Sequence, residues 1–396
     1  MYLTYVKSRI QKNTDDISNI IDELFAGNTE VELPEVSAKI FSKKVTVYID
    51  NLTEQSDIHT NVVTYEQLLC VLAKVRDIHR QHPEPEQEYI NFKIPKKTHG
   101  FREISAPKPA LKRDLKIISN LLSNYLQIEA HDSAWAYTPG RDVVGAMQEH
   151  TNNNSRWYLK LDLHNFFGSC SPEFIKEQLL KLYPFAYFEE TYPEVVNEIL
   201  DKIIFLACKD GGLPQGTPLS PLLTNLIMTE FDYNINKLFY KLSKRNEGQL
   251  FTQKYIYTRY ADDIIISARN KFDYKYLVEQ IKQLIDGTPL ELNVEKTRFG
   301  SASGRNWNLG LMCNKDYKIT VGYKRKQHLK SIVNNYIKDK EAGTTWNLED
   351  LYWLQGQFSW LKNVEPDYYK GFNKYLEDKY QTNIPESIIA DIKSYN

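Results

Sequence analysis

Apolar positions recur along this chain at two different periods. Trp157-Tyr158-Leu159-Lys160-Leu161-Asp162-Leu163 alternates as a half-buried strand does, and the alternation reaches a carboxylate. Ile264-Ile265-Ile266 is a short unbroken run of β-branched residues and predicts a buried strand. Tyr89–Pro95 and Phe101–Pro107, separated by a turn at Lys96–Gly100, predict a β-hairpin with a basic tip. Helical spacing governs other stretches. Thr64-Tyr65-Glu66-Gln67 is a capping box, opening a helix with Leu68, Leu72 and Val75 on one face and an end near His79. Leu111, Leu115, Ile118, Leu122 and Leu126 continue that period. Leu223, Ile227, Phe231, Ile235 and Phe239, four apart, predict one long helix. Ser171-Pro172-Glu173 starts a helix that stops before Pro184, and Leu277, Ile281 and Leu284 mark another, closed by Gly287. Residues 131–155 read as less regular, with Asn152–Ser155 an exposed turn. From about residue 320 the pattern is helical, with Asn347 as a cap before Leu351, Leu354, Phe358 and Leu361. Strands and helices in this arrangement predict an α+β fold.

Composition narrows the class. Apolar content of 42% and charged content of 26% are those of a soluble globular protein. No apolar run approaches the ~20 residues of a membrane span, so no membrane is expected as partner. The N-terminus lacks the basic segment and apolar core of a signal peptide, and the expected location is cytoplasmic. Cys70, Cys170, Cys208 and Cys313 have no metal-ligand spacing and read as free thiols. The net charge of −1 is not that of a typical nucleic-acid binder. Its distribution is uneven, with basic clusters at Lys93–Lys116 and Lys324–Lys330. Such patches can track phosphates, although two solvated faces would give the same pattern.

The chemistry concentrates at Tyr257-Thr258-Arg259-Tyr260-Ala261-Asp262-Asp263. A strand–turn–strand hairpin here presents two adjacent carboxylates at its tip. Clustered carboxylates need neutralising, and hard oxygen donors suit Mg²⁺. A solvated Asp-Asp turn would look the same in isolation. Its context is a strand ending in Asp162 and, between the two, the rigid loop Leu213-Pro214-Gln215-Gly216-Thr217-Pro218-Leu219-Ser220-Pro221.

These segments, in this order, resemble the reverse transcriptases, and among them the bacterial enzymes of retrons, group II introns and phage defence. Tyr260-Ala261-Asp262-Asp263 resembles the family's Tyr-Ala-Asp-Asp motif, Pro214-Gln215-Gly216 its Pro-Gln-Gly motif, and Lys160-Leu161-Asp162 with Phe166-Phe167 its first catalytic motif. Phe92–Pro107 is similar to the fingers motif and Leu309-Gly310 to the motif before the thumb. Gly356-Gln357-Phe358 and Pro366 are similar to thumb residues. The likeness covers roughly residues 62–375 and implies a right-hand polymerase. Residues 61–312 would be fingers and palm, residues 313–396 a mainly helical thumb and C-terminal region, and residues 1–60 an N-terminal extension.

The resemblance implies RNA-directed DNA synthesis by two-metal nucleotidyl transfer. Asp162, Asp262 and Asp263, with the carbonyl of Leu163, would hold two Mg²⁺, for which Mn²⁺ could substitute. Lys96, Lys97 and Arg102 would clamp the triphosphate of a dNTP. Gln215 and Gly216 would lie near the nascent base pair. Phe167, five residues after Asp162, would exclude a ribose 2′-hydroxyl, and Lys296 would protonate pyrophosphate. Lys324, Arg325, Lys326 and Lys330 would contact nucleic acid. Expected partners are dNTPs, an RNA template in the form of a dedicated non-coding RNA, the cDNA product, and a second copy or a companion defence protein. Gly145-Ala146-Met147-Gln148-Glu149-His150 departs from the retron Asn-Ala-x-x-His signature, and Thr320-Val321-Gly322 only echoes the retron Val-Thr-Gly. A compact bacterial phage-defence enzyme is therefore the first expectation. A retron-type enzyme on its own structured RNA comes second. Template-independent or protein-primed synthesis and a non-catalytic RNA-binding scaffold are further alternatives.

Overall fold

The computed structural model describes residues 63–96, 100–245, 253–301, 307–314 and 316–395. The expected N-terminal extension, residues 1–60, and Lys97 lie outside the described residues. By contact the chain forms two compact units that interleave along the sequence. One comprises Met1–His131, Asn165–Glu230 and Gly287–Leu290, and the other Asp132–His164, Phe231–Asp286 and Glu291–Asn396. This division differs in kind from the sequential fingers, palm and thumb, which remain a proposal.

In the first unit, helix Tyr65–Gln81 begins at the expected capping box. Thr64 accepts from the Gln67 amide, and the Gln67 side chain accepts from the Thr64 amide. Its apolar stripe, Leu68, Val71, Leu72, Val75 and Ile78, is buried. Strands β1 (Tyr89–Pro95) and β2 (Phe101–Pro107) form the antiparallel hairpin at the predicted boundaries, in the register Tyr89↔Pro107 through Pro95↔Phe101. His82 bridges two carboxylates near its base, with Nδ1 2.7 Å from Glu88 and Nε2 2.9 Å from Asp114. Burial alone would lower the imidazole pKa, but the hydrogen bonds that the ring donates to Asp114 and Glu88 outweigh it and raise the pKa. Helix Pro193–Ala207 buries Val195, Val196, Ile199, Leu200, Ile203 and Ile204, each worth about 1.5–3 kcal/mol of transfer free energy.

In the second unit, β3 (Trp157–Asp162), β4 (Tyr255–Tyr260), β5 (Asp263–Ala268) and β6 (Arg298–Ser301) form one antiparallel sheet in the order β4-β5-β3-β6. Ile264, Ile265 and Ile266 are fully buried, as their β-branched run implies. A small sheet follows, with β7 (Trp307–Asn308), β8 (Leu311–Cys313) and β9 (Ile319–Thr320) in sequence order. The C-terminal helices Tyr323–Glu341, Leu348–Val364, Pro366–Tyr380 and Ile384–Lys393 share a core with Tyr158, Ile265 and Leu311. Asn347 caps the second of them through the Asp350 amide.

Helices and purely antiparallel sheets occupy separate stretches, so the expected α+β class is the observed one. Three local expectations need correction. Val143–Asn152 is a helix, capped by Asp142, where an irregular stretch was expected. Gly145, Gln148 and Glu149 dilute its apolar stripe, and the buried residues are Val144, Ala146 and Met147 with the polar pair His150 and Thr151. Within the supposed exposed turn, Asn153 and Ser155 are buried and bonded to each other. The long helix is instead two, Ser220–Ile227 and Thr229–Arg245, with a break at Met228. Its four-residue apolar spacing survives the break, because the same face stays buried on both sides. No described helix is long and apolar enough to cross a membrane.

Candidate active site

Register builds the acidic cluster. Asp162, the last residue of β3, is paired directly with Asp263, the first of β5. Asp262 occupies the turn between β4 and β5. Ala261 precedes it with φ of +56°, a left-handed conformation that costs a non-glycine residue roughly 1 kcal/mol. Two bonds hold this turn. The Leu163 amide donates to the Asp262 carbonyl at 3.1 Å, and Arg259 Nη1 reaches the Ala261 carbonyl at 3.4 Å. The Asn293 amide donates to the Asp162 carbonyl at 2.7 Å, which ties the Lys296 segment to the end of β3.

Asp162 is 6% exposed, while Asp262 and Asp263 are partly exposed. Burial raises the Asp262 pKa, and the charges of Asp263 and Asp162 raise it further, against a lowering by Lys296. Two lysines already stand against the cluster. Lys296 Nζ lies 3.0 and 2.9 Å from the two Asp162 oxygens, and Lys160 Nζ lies 2.8 Å from Asp263. Among the described residues, no three acidic, histidine or cysteine side chains stand ready as a metal cage. The donor set nevertheless suits a hard cation, because its oxygens are carboxylate and Asp262 carries charge that its surroundings disfavour.

Beneath the hairpin lies a buried polar framework. The Arg259 guanidinium and the Asp232 carboxylate are both fully buried and paired twice, Nε to Oδ1 at 2.9 Å and Nη2 to Oδ2 at 2.7 Å. The Tyr257 hydroxyl donates to the same carboxylate. On the other side, His150 lies between Ser267 Oγ at 2.6 Å and Thr258 Oγ1 at 2.8 Å, and so bridges β5 and β4. Ser267 donates onward to Ser155, which leaves its oxygen to accept from His150 Nδ1–H and Nε2 to accept from Thr258. Burial pushes the His150 pKa down to about 3, so the ring is neutral. Lys160, Asp232, Arg259 and His150 were not among the expected site residues. A charged residue inside an apolar strand was the available signal for Lys160 and Arg259, whereas Asp232 and His150 lie on the helices Thr229–Arg245 and Val143–Asn152.

The structure thus brings together Asp162, Leu163, Asp262, Asp263 and Lys296. Lys96, Arg102, Phe167, Gln215 and Gly216 belong to the other unit. Lys96 and Arg102 are exposed on the hairpin, whose Ser105 amide donates to the Gln215 carbonyl at 2.8 Å. Gly216 has φ of +113°, and a Cβ there would lie 2.8 Å from Ile104 Cγ2, so only glycine allows this approach. Phe167 is half-buried, its ring 5.7 Å from that of Phe166. Lys324, Arg325, Lys326 and Lys330 open helix Tyr323–Glu341. Lys326 is largely buried against Glu365 and 4.0 Å above the Tyr368 ring, whereas Lys324 and Arg325 are exposed.

A carboxylate-ended strand beside a carboxylate-bearing hairpin, with the sequence motifs around it, defines a nucleic-acid polymerase. More closely, the chain belongs to the reverse transcriptase (RNA-dependent DNA polymerase) family, whose sequence profile matches residues 94–331. It is 28% identical over 320 residues to the retron Ec83 reverse transcriptase of Escherichia coli, covering 79% of this chain and 92% of that protein. It is 27% identical over 306 residues to the retron Ec73 reverse transcriptase of the same species, covering 75% and 89%. A telomerase from Candida albicans aligns with a TM-score of 0.41 at 15% identity, over 77% of this chain and 60% of that one. The protein is therefore an RNA-directed DNA polymerase, with an RNA template and deoxynucleoside triphosphates as substrates. Enzymes of this family use divalent metal ions.

Proposed function

We propose that this enzyme copies a structured non-coding RNA of its own into cDNA in the cytoplasm of a bacterium, by nucleotidyl transfer assisted by two Mg²⁺. The observation that carries the chemistry is the pairing of Asp162 with Asp263 across β3 and β5, with Asp262 in the adjoining turn. These three carboxylates, with the Leu163 carbonyl, would hold the cations, for which Mn²⁺ could stand in. Bound there, the cations supply charge neutralisation at the attacking and leaving oxygens. Lys96, Lys97 and Arg102 take the triphosphate, Arg102 through a bidentate fork. Gln215 and Gly216 face the nascent base pair, and Lys296 delivers a proton to pyrophosphate once it has left Asp162.

The retron-type reading takes precedence over a stand-alone defence enzyme, because relatives of similar length carry the retron name. A role in antiphage defence, with a companion protein or a second copy, is compatible with either. The exposed Lys324 and Arg325, with Lys330 5.5 Å from the Tyr375 ring, form the RNA-facing surface, and Lys326 is held back by Glu365.

The test is sequencing of the RNA and DNA that co-purify with the protein from cells, beside a control carrying Asp262→Asn and Asp263→Asn. One discrete RNA and complementary DNA are expected, the DNA only with intact carboxylates. DNA without any matching RNA would instead mean untemplated or protein-primed synthesis. Sugar selection gives a separate check. Phe167→Val should raise ribonucleotide incorporation relative to deoxynucleotide incorporation by about 10- to 100-fold, the range one steric contact of 1–3 kcal/mol supports. An unchanged ratio would make Phe167 a packing residue.

A further inference from the structure

Two lysines compete with any cation for the carboxylates, and their positions differ. Lys160 lies two residues before Asp162 on β3, and so on the same face of the strand. Its register partner on β5 is Ile265, which puts Asp263 diagonally across on that face, within reach of a long side chain. This explains how Lys160 Nζ comes within 2.8 Å of Asp263 Oδ1. Both side chains are shielded, at 24% and 23% exposure. Lys296 rises from the short turn Val294–Lys296, and its side chain is 60% exposed, whereas the Asp162 side chain is buried. An exposed ammonium gives up its partner at little cost, whereas one shielded from water and anchored on a central strand does not. Among the described residues no cation is paired with Asp262.

We propose that Lys160 is a resident counter-ion of Asp263, so that a divalent cation entering the free enzyme binds at Asp162 and Asp262 and displaces Lys296 rather than Lys160. Lys160 is thus a positioning residue. It keeps Asp263 from closing on the first cation and sets how tightly that cation is held. The inference rests on the two-cation reading of the site, and the two can fail separately.

The experiment measures Mn²⁺ binding to the full-length protein, freed of nucleotide and nucleic acid, from the loss of the free-ion electron paramagnetic resonance signal. Wild type should bind Mn²⁺, and Asp262→Asn should abolish that binding. Lys160→Met leaves Asp263 without its counter-ion and free to close on the cation, and should tighten binding by about tenfold. Lys160→Arg should stay close to wild type. The gain should vanish when Lys160→Met is combined with Asp263→Asn and compared with Asp263→Asn alone, because the freed carboxylate is its source. Lys160→Gln is a second neutral variant should methionine impair folding, which a thermal melt would reveal. Unchanged or weaker Mn²⁺ binding in the neutral variants overturns the role of Lys160. Mn²⁺ binding indifferent to Asp262→Asn overturns the two-cation reading instead.

Discussion

Asp262→Asn is expected to lower DNA synthesis by about a thousandfold while the protein stays folded. That factor equals about 4 kcal/mol of transition-state stabilisation, in the range that losing a preorganised charge partner costs. Asparagine has the same shape and keeps a carbonyl oxygen, so the turn at Ala261–Asp262 can persist. What disappears is the negative charge on which a cation depends. The sign of the stability change separates this from simple damage. Burial and the neighbouring carboxylates raise the Asp262 pKa in the folded state. A carboxylate with a raised folded pKa is a liability at any pH above that value, because the unfolded chain ionises it more easily. Removing the charge should therefore leave the melting temperature unchanged or higher at neutral pH. Primer extension and a thermal melt on the same preparation check both halves. Activity above a tenth of wild type, or a clear fall in melting temperature, would take Asp262 out of the proposed cation site.

The largest effect on stability is expected at Arg259. Arg259→Met should destabilise the protein by about 3–5 kcal/mol, because it strands the Asp232 carboxylate in the interior. Arg259 and Asp232 are both fully buried, and Tyr257 donates to the same carboxylate. Neither charge has water to fall back on. The cost is that of an orphaned charge rather than the net worth of the pair. Arg259→Met combined with Asp232→Leu should therefore recover much of the loss, with a coupling energy that a double-mutant cycle reads directly. Urea denaturation of the four proteins is the measurement. If Arg259→Met costs less than about 1 kcal/mol, the carboxylate has found another partner or taken up a proton. The double variant carries functional information too. Arg259 also reaches the Ala261 carbonyl, so a stable double variant that synthesises DNA poorly would show that the guanidinium aims the turn.

His150 illustrates a different kind of support. A neutral ring clamps β4 to β5 through two hydroxyls, below the turn that carries Asp262. No hydrophobic residue could replace it without leaving Thr258 and Ser267 buried with an unmade bond. The stretch containing it departs from the retron signature in sequence, and the structure gives its histidine a definite task within the hairpin.

Much of this protein was legible along the chain. Alternation set β3, the isoleucine run set β5, and the turn chemistry set the β1–β2 hairpin to the residue, because each depends on neighbours within a few positions. The Asp-Asp turn and the Pro-Gln-Gly loop carried the family for the same reason, since each is a local string of residue types. The short helix Val143–Asn152 was illegible because its buried face includes the polar His150 and Thr151, and the hydroxyl partners of His150 lie more than a hundred residues away in β4 and β5. Lys160, Arg259 with Asp232, and His150 with its hydroxyls acquire their meaning only across strand register and between distant elements, as does the pairing of Lys296 with Asp162. The sequence by itself therefore determined most of the elements, the family and which carboxylates to propose for the site. Which cation each carboxylate faces, and how the turn carrying Asp262 is held, the tertiary structure alone decided. Charge pairing acts over a few ångströms of space, and separation along the chain carries no record of it.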